Sequence, residues 1–163
     1  MKIGLMADSH DRLDAIEDAI DFFNSEGVEH VLHAGDVISP FTSAKFCDLK
    51  AKLYVVWGNN DGDRELLKKK FGEIGAYALG EVGVIELAGR RIILLHGTSQ
   101  AVVDAIEASG MYDLLVRGHT HSASVKEGRT LVVNPGEVCG YLTGRKTVAI
   151  FEPEKMRAEI FEI

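Results

Sequence analysis

Five short apolar runs along the chain each end in a side chain that can bind a metal ion. Asp8-Ser9-His10 follows the first, Gly35-Asp36 the second and Gly58-Asn59-Asn60-Asp61 the third; His96-Gly97 and Gly118-His119-Thr120-His121 end two later ones. Four of the six histidines fall at these positions. Singly, most of these segments say little. Asp-x-His after a strand is ordinary helix capping followed by a surface histidine, Gly-Asp is common turn chemistry, and His96 alone reads as a core histidine. The pair His119 and His121 is more specific, because side chains two residues apart point the same way from an extended chain. The ordered set calls for one explanation. Two divalent cations roughly 3.5–4 Å apart need a shared anionic bridge and outer ligands that keep them from separating. Mixed carboxylate, imidazole and amide donors suit manganese, iron, zinc, cobalt or nickel better than calcium or magnesium. The thiolate set of a structural zinc site is absent; Cys47 and Cys139 lie far apart and read as two reduced thiols.

The elements that must position these residues are legible from period and punctuation. Residues 2–7, 28–34 and 52–57 read as short strands rich in β-branched residues. Between them, Asp11 is expected to cap a helix with the stripe Leu13, Ile16, Ile20 and Phe23, closing at Gly27. Ser39-Pro40 predicts a second helix start, and a third helix runs from about Asp63 to Phe71 with Gly72 beyond it. A fourth fits between Ser99 and Ser109, stopped by Gly110. The second half is richer in strands: 83–87 and 91–95 flank the turn Ala88-Gly89-Arg90, followed by 112–117, 123–126, 130–133, 147–151 and 156–162. The Glu127-Gly128 and Glu152-Pro153 connections suggest antiparallel pairing. Helices early and strands late indicate an α/β layered fold with mixed sheets, the donors lying at the carboxyl ends of strands, where open α/β sheets place ligands.

Composition narrows the function classes. The 163 residues are 46% hydrophobic and 26% charged, enough for one packed domain over 1–163. No run approaches the length needed to span a bilayer, and the N-terminus meets Asp8 and His10 too early for a signal peptide, so a cytoplasmic protein is expected. The net charge of −7 argues against coating a polynucleotide, which requires many cationic contacts to phosphates. It leaves room for a small anionic substrate, because bound cations invert the local field.

The order Asp8-x-His10, Gly35-Asp36, Gly58-Asn59, His96-Gly97 and Gly118-His119-x-His121 resembles the calcineurin-like metallophosphoesterases. With Asn134-Pro135-Gly136, it looks most like their small single-domain bacterial and archaeal phosphodiesterases. The resemblance spans nearly the whole chain. It implies two facing mixed β-sheets flanked by helices, and two metal ions per chain, manganese or nickel ahead of zinc, iron and cobalt. Asp8, His10, Asp36 and His121 would hold one ion, and Asp36, Asn59, His96 and His119 the other, with Asp36 as the bridge. Asp36, Asn59 and His119 would serve catalysis, and a hydroxide shared by the ions would attack a small or nucleotide-like phosphodiester. Analogy with small members extends to a homodimer.

One departure bears on the leaving group. Many larger members carry histidine where this chain has Asn60, and an amide cannot act as an acid at working pH. His33 is a conceivable substitute but reads better as a strand residue, and His30 as structural. Asp61 is expected to steady a ligand, Trp57 to serve as pocket wall or core, and Arg145, in the glycine-rich run 139–145, to approach a phosphate. Glu137 has no assigned role at this level. Two rival functions are a non-catalytic adaptor of the same fold, as in a subunit of a eukaryotic membrane-coat complex, and a nuclease. The intact ligand set disfavours the first; the acidity and the lack of added domains disfavour the second.

Overall fold

Side-chain alternation along the N-terminal strand decides the layering. In β1 (Ile3–Met6), Ile3 and Leu5 face one hydrophobic core while Met6 faces another. The computed structural model describes residues 1–163. In chain order, β1 is followed by α1 (Leu13–Glu26), β2 (His30–His33), a 3-10 helix over Pro40–Asp48, β3 (Lys52–Val55), α2 (Arg64–Glu73) and β4 (Tyr77–Ala78). Then come β5 (Val82–Leu87), β6 (Arg90–Leu95), α3 (Gln100–Ser109), β7 (Leu114–Val116), β8 (Ser124–Lys126), β9 (Leu131–Asn134), β10 (Thr147–Glu152) and β11 (Arg157–Glu162).

Two mixed sheets result. The first has the order β11-β10-β1-β2-β3-β4 and the second β5-β6-β7-β9-β8. β1, β2 and β3 are parallel neighbours, as are β6, β7 and β9, while the hairpins β5–β6, β8–β9 and β10–β11 are antiparallel. The expected α/β layering of two facing sheets with flanking helices is therefore the architecture found. Leu5, Leu32, Ile92, Leu94, Val116, Val133 and Phe151 fill the space between the sheets. The stripe Ala15, Ile16, Ala19, Ile20 and Phe23 of α1 is buried against the outer face of the first sheet. Each fully buried large side chain there contributes about 1.5–3 kcal/mol. Val103 of α3 covers Ile93, Leu95, Leu115 and Val132 on the outer face of the second.

Several local expectations need correction. Asp11 does not cap α1, whose N-cap is Arg12. Its carboxylate instead accepts the Ser39 backbone N–H at 2.9 Å and the hydroxyls of Ser39 and Thr42. Ser39 thus spends its hydroxyl on Asp11, and the helix it precedes is of 3-10 rather than α type. Gly72 lies inside α2, which ends one residue later. The two-residue β4 lay below the length that periodicity can detect. No helix is long and apolar enough to cross a membrane.

Candidate metal centre

Because β1, β2 and β3 run parallel, and β6, β7 and β9 likewise, each triplet releases its chain at one sheet edge. Hydrogen bonds between sheets tie the two edges together. The His96 Nδ1–H donates to the Ala34 carbonyl at 2.8 Å, the His119 backbone N–H donates to Asp8 Oδ2 at 3.0 Å, and the Cys139 N–H donates to the Asp8 carbonyl at 3.1 Å. Of the donors singled out from sequence, Asp8, His10, Asp36, His96 and His121 are brought face to face by these links.

Asp8 and Asp36 are buried at the centre. Around them, His10 Nε2 lies 3.8 Å from Asp8 Oδ1 and 3.5 Å from Asp36 Oδ2; His96 Nε2 lies 3.9 and 3.3 Å from the same atoms. His121 Nε2 lies 3.5 Å from Asp8 Oδ1. Charged hydrogen bonds run at about 2.7–2.9 Å, so these separations are too long for that purpose. They suit two ligands of one cation, since bonds of about 2.1 Å at tetrahedral angles put neighbouring donors about 3.4 Å apart. Asp8 Oδ1, His10 Nε2 and His96 Nε2 are all buried without a hydrogen-bond partner, a costly state for polar atoms.

Tautomers sharpen the case. His96 commits its Nδ1 proton to Ala34, and the His121 Nδ1–H donates to Glu137 Oε2 at 2.6 Å. In each neutral ring Nε2 then carries a bare lone pair aimed at carboxylate oxygen. Lone pairs facing carboxylates repel unless positive charge lies between them. The histidine pKa values carry the same demand. That of His10 is raised, chiefly by Asp8; for His96 burial lowers the pKa, but Asp36 and Asp8 overcome this and raise it. The donor set therefore fits divalent metal ions, with Asp8, His10 and His121 forming one group and Asp8, Asp36 and His96 another.

The backbone is bent to present these groups. Of the nine non-glycine residues with positive φ, five are Asp8, His10, Asp36, His119 and His121. Such left-handed conformations cost non-glycine residues free energy and concentrate at functional sites. Gly58 makes room for Asp36: a Cβ there would stand 2.1 Å from Asp36 Oδ1. Asp61 fills the steadying role expected of it. Its carboxylate accepts the backbone N–H groups of Asp36 (2.9 Å), Ile38 (2.7 Å) and Gly58 (2.6 Å), locking two strand ends together. Asn60, in the departure position, donates from its backbone and its Nδ2 to the two oxygens of Asp36 at 2.9 and 2.7 Å.

His119 packs edge-on against His96, with ring centroids 5.2 Å apart. Asn59 stands apart from the carboxylates: its Oδ1 accepts from Thr98 Oγ1 at 3.4 Å, at the mouth of a neighbouring cavity. Trp57 is both things weighed for it, packed on Phe71 and lining that cavity. Arg145 is engaged elsewhere, paired with Glu162 at 2.8 Å. The two cysteines are free thiols.

His33 is no substitute acid. It is fully buried, accepts the Gly35 N–H on Nδ1 at 3.1 Å and so donates from Nε2 to Ser9 Oγ at 2.9 Å. Burial lowers its pKa to about 4. Between pH 6.5 and 4 the unfolded chain protonates this ring and the folded chain does not. Its contribution to stability is therefore complete above pH 6.5 and declines as pH falls toward 4, by about 3 kcal/mol. Urea unfolding of metal-stripped protein is expected to show a shallower fall over this range in His33→Gln than in wild type. Parallel curves would contradict the assignment.

Glu137 is the residue that sequence reasoning left without a role. It is buried, and beyond His121 it accepts from Leu142 N at 3.0 Å, Thr143 N at 2.6 Å, Thr143 Oγ1 at 2.7 Å and Cys139 Sγ at 3.2 Å. Burial would raise its pKa, but His121 and Thr143 outweigh this and hold it at about 2. Carboxylate–histidine pairs of this kind orient rings that bind metals. Burial, with Glu137 nearby, pushes the Cys139 thiol up to about 12, so it stays protonated.

The chain is similar to known proteins in sequence and in fold. The chain is 41% identical to phosphodiesterase MJ0936 of Methanocaldococcus jannaschii over 157 residues, covering 95% of each. A probable metallophosphoesterase of Methanothermobacter thermautotrophicus is 30% identical over 174 aligned positions, covering 98% of this chain and 91% of the relative. The solved structure of an archaeal phosphodiesterase superposes with a TM-score of 0.96 at 39% identity, over the full length of both chains. The model of the calcineurin-like phosphoesterase superfamily domain matches residues 1–156. With the strand-end donors in that family's order and brought to one edge of two facing sheets, the chain belongs to the calcineurin-like phosphoesterase superfamily.

Proposed function

We propose that this chain is a phosphodiesterase dependent on two divalent metal ions, acting on small or nucleotide-like phosphodiesters. The observation that carries the reading is the cluster of buried, unpartnered donors, Asp8 Oδ1, His10 Nε2 and His96 Nε2, converging where only positive charge can relieve them. In this reading Asp8, His10, Asp36 and His121 would hold one ion and Asp36, Asn59, His96 and His119 the other, with Asp36 common to both. Manganese and nickel are the preferred occupants, with zinc, iron and cobalt following. Bound together, such ions neutralise phosphate oxygens and lower the pKa of water.

The remaining work falls to the protein. Asp61 and Asn60 fix the position and orientation of the Asp36 carboxylate. Glu137 holds the His121 ring in the tautomer that leaves Nε2 free. The exposed amide of Asn59 is free to turn from Thr98 toward a phosphate oxygen. Neither Asn60 nor buried His33 can protonate a departing alkoxide, which restricts turnover to leaving groups stable as anions. The net charge of −7 favours a small diester over a polymer.

Protein stripped of metal and reloaded with manganese is expected to hydrolyse a bis-aryl phosphodiester with kcat/KM about a hundredfold above that for an alkyl phosphomonoester, the scale of a general-acid contribution the latter would lack. Faster turnover of the alkyl monoester would overturn the leaving-group argument. Metal binding without turnover of either ester would favour a non-catalytic adaptor.

A further inference from the structure

A cavity of about 320 Å³ opens beside the metal centre, between the end of β6, the start of α3 and the start of β5. Its lining is polar at His96 and Asn59 and apolar at Trp57, Val82, Leu95 and Val102. Val82 and Val102 are 50% and 48% exposed, on two different elements, yet both line this one space. Single exposed valines need no explanation. Two that converge from separate elements next to a charged centre make an amphipathic recess, the form that binding sites for small organic molecules take.

The charged residues of the cavity narrow its occupant. Arg64 is the only cation lining it, and its guanidinium is committed: Nη1 to Glu81 Oε1 at 2.5 Å, Nη2 to the Gly58 carbonyl at 3.0 Å, Nε to the Asp61 carbonyl at 3.2 Å. No free cation remains to receive a second phosphate, and Glu81 would repel one. The volume, at the small end for ligand sites, accommodates one ring system rather than an extended chain.

We propose that this cavity receives one organic substituent of the phosphodiester, a flat and uncharged one such as an aryl group or a nucleobase. The assignment rests on the reading that phosphate binds at the adjoining metal centre. Val82 and Val102 then select substrates by the body attached to the phosphate, while the metal ligands handle the phosphate itself.

Two non-hydrolysable probes of like charge separate these contributions. Calorimetry on the manganese-loaded protein is expected to show phenylphosphonate binding about tenfold tighter than methylphosphonate, through burial of the ring. Trp57, the chain's one tryptophan, should shift its emission with phenylphosphonate and not with methylphosphonate. In Val102→Asp and in Val82→Asp, checked for intact melting and metal content, the affinity ratio should fall to about one. Equal affinities in wild type, or a preference that survives in both variants, would overturn the cavity assignment and leave the metal centre standing. Failure of both phosphonates to bind wild type would overturn the phosphoesterase reading, and the cavity assignment with it.

Discussion

Replacing Asp36 by alanine is expected to lower kcat/KM for an aryl phosphodiester about a thousandfold or more and to reduce the bound metal to one ion or none per chain. Asp36 Oδ2 lies 3.5 Å from His10 Nε2 and 3.3 Å from His96 Nε2, nearer to both than the other buried carboxylate, Asp8, at 3.8 and 3.9 Å. Its backbone N–H is anchored by Asp61 and both its oxygens by Asn60, so its position is set before any ligand arrives. Burial would favour the neutral acid, but the neighbouring His96 ring and the two hydrogen bonds from Asn60 outweigh it and keep Asp36 ionised. In the proposed reading, removing it deletes the carboxylate shared by the two ions and leaves Asp8 as the one buried carboxylate between His10 and His96. Charge stabilisation by a metal pair is worth several kcal/mol, and about 4 kcal/mol corresponds to a thousandfold in rate. Inductively coupled plasma measurement of metal content, alongside steady-state kinetics, checks both halves. A variant that keeps two metals and wild-type kcat/KM would show that Asp36 is not the bridge.

Glu137→Gln should lower metal affinity about 10–100-fold while barely changing side-chain volume, the usual penalty for losing a carboxylate that orients a metal-binding histidine. Five donors converge on this one carboxylate: His121 Nδ1, Cys139 Sγ, Leu142 N, Thr143 N and Thr143 Oγ1. An amide turns an N–H₂ toward at least one of them, so a donor faces a donor inside the protein. The His121 ring then loses its reason to keep Nε2 bare. Loss of a buried charged hydrogen bond also costs about 1.5–3 kcal/mol of stability. Chelator competition reads the first effect and urea unfolding the second. Unaltered metal affinity would reduce Glu137 to an anchor for the 141–143 loop.

The site was legible where its chemistry is written locally. Asp8, Asp36, His96 and His119 each sit at the end of an apolar run beside a turn or glycine, so the strand-end pattern alone located them, and the layered α/β fold followed from the same runs. Glu137 was not legible because its partners lie elsewhere, in His121 on a preceding loop and in the backbone of Leu142 and Thr143. No spacing rule connects them. Asp11 misled for a related reason: at the start of α1 it carries a cap's signature, yet its carboxylate crosses to Ser39 and Thr42, 28 and 31 residues away. The left-handed backbone at Asp8, His10, Asp36, His119 and His121 was equally hidden, since sequence announces that conformation only when the residue is glycine. The cavity walled by Val82 and Val102 belongs to tertiary packing, where periodicity assigns those valines only to a strand and a helix.

The most direct test of the two-metal account is titration of metal-stripped protein with manganese, reading bound metal and aryl diester hydrolysis in the same samples. The account predicts that activity rises with binding and saturates near two ions per chain. Saturation at one ion, or full activity in the thoroughly stripped protein, would contradict it.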